Sequence, residues 1–196
     1  MAWLTENQLL SFKSVGRGVK ISDQAVIYGA HNVEIGDNVR IDAQTVILAS
    51  SGSLKIGNHV HVAVGCLLAA GGGIRIGDFA GLSFGVNLIS ATDDTDGEFL
   101  VGPQFPDFLR GTKLGVINVE PYVFVGARST VLPGCFLAIG SFIGANSLVI
   151  DDTVIQPWTK YFGSPVRRTG ERRQDMVQKS VAAHEWWEEK IHRGDV

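Results

Sequence analysis

The chain has 196 residues, enough for one domain with a sizeable core. At 45% hydrophobic and 19% charged residues it is too apolar to be disordered, and a formal net charge of −3 without a dominant basic cluster argues against nucleic acid as the main partner. Glycine is abundant, 24 residues or roughly 12% against a usual ~7%, yet no Gly-X-Y period runs through the chain, which excludes collagen.

The apolar runs fall short of the ~18–20 residues of a membrane span, so no membrane insertion is expected. The start, Met1-Ala2-Trp3-Leu4-Thr5-Glu6-Asn7, lacks the cationic region and apolar core of a signal peptide. Cys66 and Cys135 stand far apart with no CxxC, which suits a reducing compartment and a cytoplasmic protein.

Residues 1–14 read as an N-terminal cap, with Thr5 to Leu10 a candidate short helix. From Val15 a branched aliphatic residue recurs every six positions: Val15, Ile21, Ile27; Ile35, Ile41, Ile47; Ile56, Val62, Leu68; Ile76, Leu82, Leu88. Every third step is stretched by two or three residues, so three hexads make one coil and small loops leave at one corner. The cleanest run is Val119, Val125, Val131, Leu137, Ile143, Val149 and Ile155. Four residues after each of the first six stands a small or β-branched residue, Cys135 among them, and Cys66 holds the same position after Val62. Both cysteines therefore read as core residues. Each six-residue side holds a short extended segment and a turn, with two inward side chains stacking on their equivalents in the coils above and below. The reading is an all-β solenoid, a parallel β-helix of about six coils over residues 15–155.

One gap is far larger than the rest. Between Leu88 and Val119, 25 extra residues leave the solenoid, giving an extruded loop over 89–118. It begins acidic, Asp93-Asp94-Thr95-Asp96-Gly97-Glu98, and carries Phe99, Phe105 and Phe108. Long loops on rigid scaffolds are a usual place for function. Beyond Ile155 the hexads stop, and residues 156–196 read as a turn followed by a helix over about 170–193. Its stripe is Val177, Val181, His184 and Ile191 with Trp187 beside it, and its expected role is to cap the open end of the solenoid.

The hexads, the loop extruded in coil four and the ending Pro157-Trp158…Gly163-Ser164-Pro165-Val166-Arg167 together resemble the hexapeptide-repeat acyltransferases, over Val15 to Arg168. The stretch Ser90-Ala91-Thr92-Asp93-Asp94-Thr95-Asp96-Gly97-Glu98 is similar to the Ser-Ala-Ser/Thr-Asp-Asp-Tyr-Ser-Gly-Glu of a branch that includes enzymes acylating amino sugars carried on a nucleotide. His59-Val60-His61-Val62-Ala63 and Gly71-Gly72-Gly73-Ile74 resemble that branch too. The resemblance implies a left-handed coil, against the usual right-handed preference of parallel crossovers. It also implies a homotrimer with active sites between subunits, and acetyl-CoA or another acyl-CoA as donor.

The chain departs from the pattern at one point. Galactoside acetyltransferases carry a histidine as general base where Asp93 stands, and this loop contains no histidine. A hydroxyl needs such a base; an amine needs only to lose one proton from its ammonium. The expected reaction is therefore transfer of an acetyl or short acyl group to the amino group of a nucleotide-linked amino sugar, in surface polysaccharide or glycoconjugate assembly. Asp93 and Asp94 are the catalytic candidates, the same two with Glu98 bind the ammonium, and His61 is the second choice for an acid–base group. For the donor, the resemblance implies backbone at Gly126, Ala127, Gly144 and Ala145 along the pantetheine arm, and Arg167 and Arg168 on the phosphates. Lys160 and Pro165 belong to the same segment, and Trp158 either stacks on the adenine or caps the last coil. No metal is expected. Sugar O-acetylation is the alternative; more remote are a metalloenzyme resembling γ-class carbonic anhydrases, suggested by His59-x-His61, and a non-catalytic scaffold.

Overall fold

The structure, a computed structural model, describes residues 2–195. From Ser14 to Ile155 the solenoid runs in strands of two or three residues separated by tight turns, each paired in parallel with its equivalent one coil away. The first face of the prism stacks Ser14–Val15, Val33–Ile35, Leu54–Ile56, Ile74–Ile76, Ile117–Val119, Phe136–Leu137 and Val154–Ile155. The second stacks Lys20–Ile21, Arg40–Ile41, His61–Val62, Gly81–Leu82, Phe124–Val125, Phe142–Ile143 and Thr159–Gly163. The third stacks Val26–Tyr28, Val46–Leu48, Leu67–Ala69, Asn87–Ile89, Thr130–Val131 and Leu148–Val149. Six complete coils and two sides of a seventh result, so the hexad count of six omits only the unfinished last turn.

The register is what the hexads demand: Ile21, Ile41, Val62, Leu82, Val125 and Ile143 lie directly over one another down the second face. All six are essentially inaccessible to solvent, and the small positions Val123, Ser129, Cys135, Ser141 and Ser147 are buried between them. Full burial of each aliphatic side chain contributes ~1.5–3 kcal/mol. Both cysteines are free and buried, and burial pushes the Cys66 thiol up to about 11, which leaves it a packing residue.

The corner between the first and second faces uses left-handed backbone at residues with full side chains: Asn38, His59, Phe79, Tyr122 and Trp158. Each costs ~1–2 kcal/mol in that conformation. The compensation is a ladder of rings, His59 on Phe79 at 4.6 Å, Phe79 on Tyr122 at 5.4 Å and Tyr122 against Trp158 at 6.1 Å between centroids. Gly140 lies between the last two rungs; a Cβ there would come within 2.2 Å of the Trp158 ring.

The carboxy-terminal segment corrects two expectations. The helix starts later than 170, at Met176, and runs to Arg193; Val166–Glu171 forms a strand that returns antiparallel on Thr159–Gly163. That hairpin extends the second face at the end of the solenoid. The helix does not cap the end; it runs back along the aromatic ladder. Ser180 shares a 2.9 Å hydrogen bond with the Tyr122 hydroxyl, His184 and buried Trp187 meet the His59 ring edge-on, and Glu188 reaches Arg17 of the first coil at 3.5 Å. Arg172 fixes the approach by donating to the carbonyls of Tyr122, Gly140 and Ser141. Val181, assigned to the inward stripe, is exposed and polar Ser180 takes its place. At the other end Glu6–Leu9 forms a short helix whose Leu9, with Leu4 and Phe12, packs on the first coil.

Burial first, and then the ring of His184, hold the His59 imidazole below its ordinary value, against the pull of Asp78, Asp37 and Glu188. The fold therefore favours neutral His59, the unfolded chain takes up the proton first, and stability falls as pH drops below about 6.5. Thermal unfolding from pH 8 to 5 should show this loss, and His59→Asn, a residue that accepts the left-handed corner, should flatten it. Trp187→Ala should cost ~3–5 kcal/mol by the same measurement.

Candidate active site

The acidic loop leaves the third face after Ile89 and rejoins the first face at Ile117. Its root is pinched by hydrogen bonds. The Ser90 hydroxyl donates to the Ala69 carbonyl at 2.8 Å and accepts from the Gly72 N–H at 3.0 Å, while Gly115 N–H donates to the Ser90 carbonyl at 3.0 Å. Gly72 must be glycine, since a Cβ would lie 2.2 Å from the Ser90 carbonyl oxygen. Above the pinch, Ala91–Thr92 pairs antiparallel with Lys113–Leu114, and Lys113 donates to Asp151 at 2.8 Å and Asp152 at 3.0 Å, tying the returning arm to the sixth-coil corner.

The two central carboxylates have different surroundings. Asp94 accepts from four backbone N–H groups, those of Asp96, Gly97, Glu98 and Phe99, at 2.8–3.2 Å. Those amide bonds, the one from Phe99 first among them, hold its carboxyl below the usual carboxylate range. Asp94 thus organises the turn, with three of these bonds on Oδ2 and one on Oδ1. Asp93 has one side-chain partner, Arg110, at 3.5 Å. Both are half-buried, and Asp93 keeps acceptor capacity for a substrate. Glu98 is exposed near the loop tip.

His61 stands on the second face, half-exposed. Its Nε2 lies 2.8 Å from Asp42, which also receives the Arg40 Nε–H at 2.7 Å. Burial opposes ionisation of Asp42, but the bonds from His61 and Arg40 outweigh it and hold the carboxyl below its ordinary value. His59 and His61 do not converge: one is a rung of the corner ladder, the other is bonded to Asp42. Among the described residues no three His, Cys, Asp or Glu side chains group as a metal site.

The donor candidates occupy the opposite edge of the third face from the loop. Gly126-Ala127 and Gly144-Ala145 make the corner between the second and third faces, in successive coils. Their glycines answer first to packing: a Cβ on Gly126 would sit 2.6 Å from the Ala145 nitrogen, and one on Gly144 would enter the Phe162 ring. Ala145 is exposed at that corner. Trp158 has one face against Tyr122 and its edge over Gly140, so the ladder holds the ring suggested for adenine. Lys160 lies on the last strand of the second face, Pro165 at the tip of the terminal hairpin, and Arg167 and Arg168 on its return strand, exposed, with Arg168 3.4 Å from Glu171.

Within one chain, then, the acidic loop and the glycine-alanine corner flank the third face without meeting at their roots. Sequence reasoning missed Arg110, Lys113 and the Asp42 partner of His61. The signal for the first two was present: they are the two cations of a loop with five acidic residues, both on the returning arm.

No protein-family model matches the sequence. The chain is 36% identical over 180 residues to the dTDP-4-amino-4,6-dideoxy-D-glucose acyltransferase of Escherichia coli, covering 91% of this chain and 93% of that enzyme. It superposes on AntD, an N-acyltransferase from Bacillus cereus solved with dTDP and 3-hydroxybutyryl-CoA, with a TM-score of 0.86 and 32% identity over 95% of this chain and 98% of AntD. A hexapeptide-repeat acetyltransferase from Vibrio cholerae, solved with acetyl coenzyme A, shares the fold at 18% identity and a TM-score of 0.56, over 85% of this chain and 75% of that one. The hexad-built solenoid, its extruded acidic loop and this similarity along nearly the whole length place the chain in the family of left-handed β-helical, acyl-CoA-dependent hexapeptide-repeat acyltransferases.

Proposed function

We propose that this protein transfers an acetyl or short acyl group from acyl-CoA to the amino group of a dTDP-linked amino sugar, in the assembly of a surface polysaccharide or glycoconjugate in the cytoplasm. The observation that carries the reading is Asp93, a half-buried carboxylate with open acceptor sites on a loop pre-ordered by Asp94 and devoid of histidine. A carboxylate of this kind receives an ammonium and aims it; it is a poor base for a sugar hydroxyl. Two enzymes similar to this chain along nearly its whole length act on, or were solved with, a dTDP-amino sugar or dTDP.

In the reaction the ammonium of the sugar first gives one proton to solvent. The free amine attacks the thioester carbon, backbone amides at the glycine-alanine corner stabilise the oxyanion, and the C–S bond breaks as the amide forms. The second nitrogen proton passes to the departing sulfur, releasing coenzyme A as the thiol. His61, in the second-face column of Phe124, two coils and about 10 Å along the axis from that residue, is retained as an accessory group.

Assembly as a homotrimer brings the two halves together. The third face turns Val26, Tyr28, Val46, Leu48 and Leu67 outward, and Val26, Tyr28 and Leu48 are 40–58% exposed on the single chain. Cyclic packing of such faces sets the loop at one edge of one protomer beside the glycine-alanine corner at the opposite edge of the next. Analytical ultracentrifugation should give three copies, and Leu48→Glu should reduce both mass and activity; a fully active monomer would sink this arrangement.

Release of free thiol from acetyl-CoA or 3-hydroxybutyryl-CoA, with dTDP-4-amino-4,6-dideoxyglucose as acceptor, tests the reaction. Equal or faster turnover of the corresponding 4-hydroxy sugar would move the assignment to O-acylation. Asp93→Asn should lower kcat/KM for the amino sugar about 10- to 100-fold with the loop intact. Asp94→Asn should instead make residues 95–99 sensitive to limited proteolysis. Because the Asp94 carboxyl is the stronger acid in the fold, that turn should hold at neutral pH. It should loosen only as pH falls below the ordinary carboxylate value of about 3.9.

A further inference from the structure

Arg110 occupies a position the acyl-transfer chemistry does not by itself require. It follows the short 3-10 turn Asp107–Leu109, Leu109 is bonded through its carbonyl to Leu100 N–H at 2.9 Å, and Gly111 lies against the Phe99 ring. The backbone on both sides of Arg110 is thereby fixed. Its guanidinium, one fifth exposed, lies 3.5 Å from Asp93 on one side and 3.5 Å from the outer carboxylate of Asp107 on the other. Its Nε is buried and has no protein partner.

The other charges nearby are committed elsewhere. Asp94 faces four backbone amides, and Lys113 is held by Asp151 and Asp152. Any cation delivered to Asp93 therefore shares that carboxylate with Arg110. Alone, Asp93 would bind the ammonium form of an amino sugar and hold it there, in the protonation state that cannot attack a thioester. A fixed positive charge on the far side of the same carboxylate weakens that hold on the ammonium and leaves the neutral amine a hydrogen-bond acceptor for itself.

We propose that Arg110 is a positioning residue that sets the protonation state of the bound acceptor, aiming Asp93 while repelling the ammonium so that the amine is presented free. This rests on the assignment of Asp93 to the acceptor amine. One proton leaves the ammonium for solvent before attack, and the later steps are unchanged.

The test is the pH profile of kcat, which reports the groups of the bound complex, for trimeric enzyme with saturating dTDP-4-amino-4,6-dideoxyglucose and acetyl-CoA. In Arg110→Gln the acid limb should move up by about one pH unit, so that the rate falls about tenfold near neutrality and recovers in alkali. Arg110→Lys, which keeps the charge, should leave the limb where the wild type has it, whatever its absolute rate. An unmoved limb in Arg110→Gln, or a loss equal at every pH, reduces Arg110 to loop scaffolding and overturns the inference while the acceptor assignment stands. A wild type inactive on this sugar but active on its hydroxyl counterpart overturns both.

Discussion

Parallel backbone hydrogen bonding between coils, at the ~4.8 Å spacing of adjacent strands, is the constraint on which the rest of this molecule depends. It places each residue over its equivalent one coil away, so a position is judged by its column rather than by its neighbours in sequence. Branched aliphatics satisfy the inward columns because they interdigitate at that spacing. Rings satisfy the left-handed corner for the same reason: His59, Phe79 and Tyr122 stack near the spacing that planar groups prefer. Where a ring must reach across a coil, the residue between is glycine, as Gly140 is under Trp158.

A solenoid so regular has flat faces and little concavity of its own. Chemistry has to be added at the corners, where an insertion interrupts no ladder, and the chain inserts at one corner, between the third and first faces. The small turns there prepare the large one: Gly72 and Ser90 stack so that the 89–118 loop leaves with its two arms already pinned. A loop anchored in this way holds a carboxylate at a defined height along the prism. The glycine-alanine pairs lie at the next corner, so the width of one flat face separates them from the loop within a chain; the proposed trimer would remove that separation.

The repeat was legible because burial selects one chemical class at each sixth residue; hence the fold, the loop and the inward cysteines could be read from spacing. The tail was not, and the reason is specific. The helix meets the solenoid through Ser180 and His184 as much as through Trp187, since its partners are a tyrosine hydroxyl and a histidine ring. A polar residue at an inward position hides an amphipathic stripe, and Val181, which falsely completed it, faces solvent. The strand at 166–171 was masked likewise, because it is exposed and pairs at the end of a sheet, where burial imposes no alternation. Trp158 was ambiguous in sequence for a third reason: a ring one coil above a glycine looks the same as a ring awaiting a ligand until the column is known.

The paired aspartates show the same limit at the level of chemistry. Adjacent in sequence and identical in composition, Asp93 and Asp94 are equal candidates on motif alone. Four N–H donors converging on Asp94, three of them on Oδ2, give the two carboxylates different surroundings and hold that of Asp94 below the usual carboxylate range. Its negative charge is consumed in shaping the turn that presents Asp93. The loop thereby gains a carboxylate whose position is fixed by another carboxylate and by Arg110, with no titrating histidine in the loop itself. In the proposed reaction an amine nucleophile would need no more than this, since the acceptor carries its own proton-exchange site. A hydroxyl acceptor would have to find its base outside this loop, and the absence of histidine there therefore bears directly on the class of substrate.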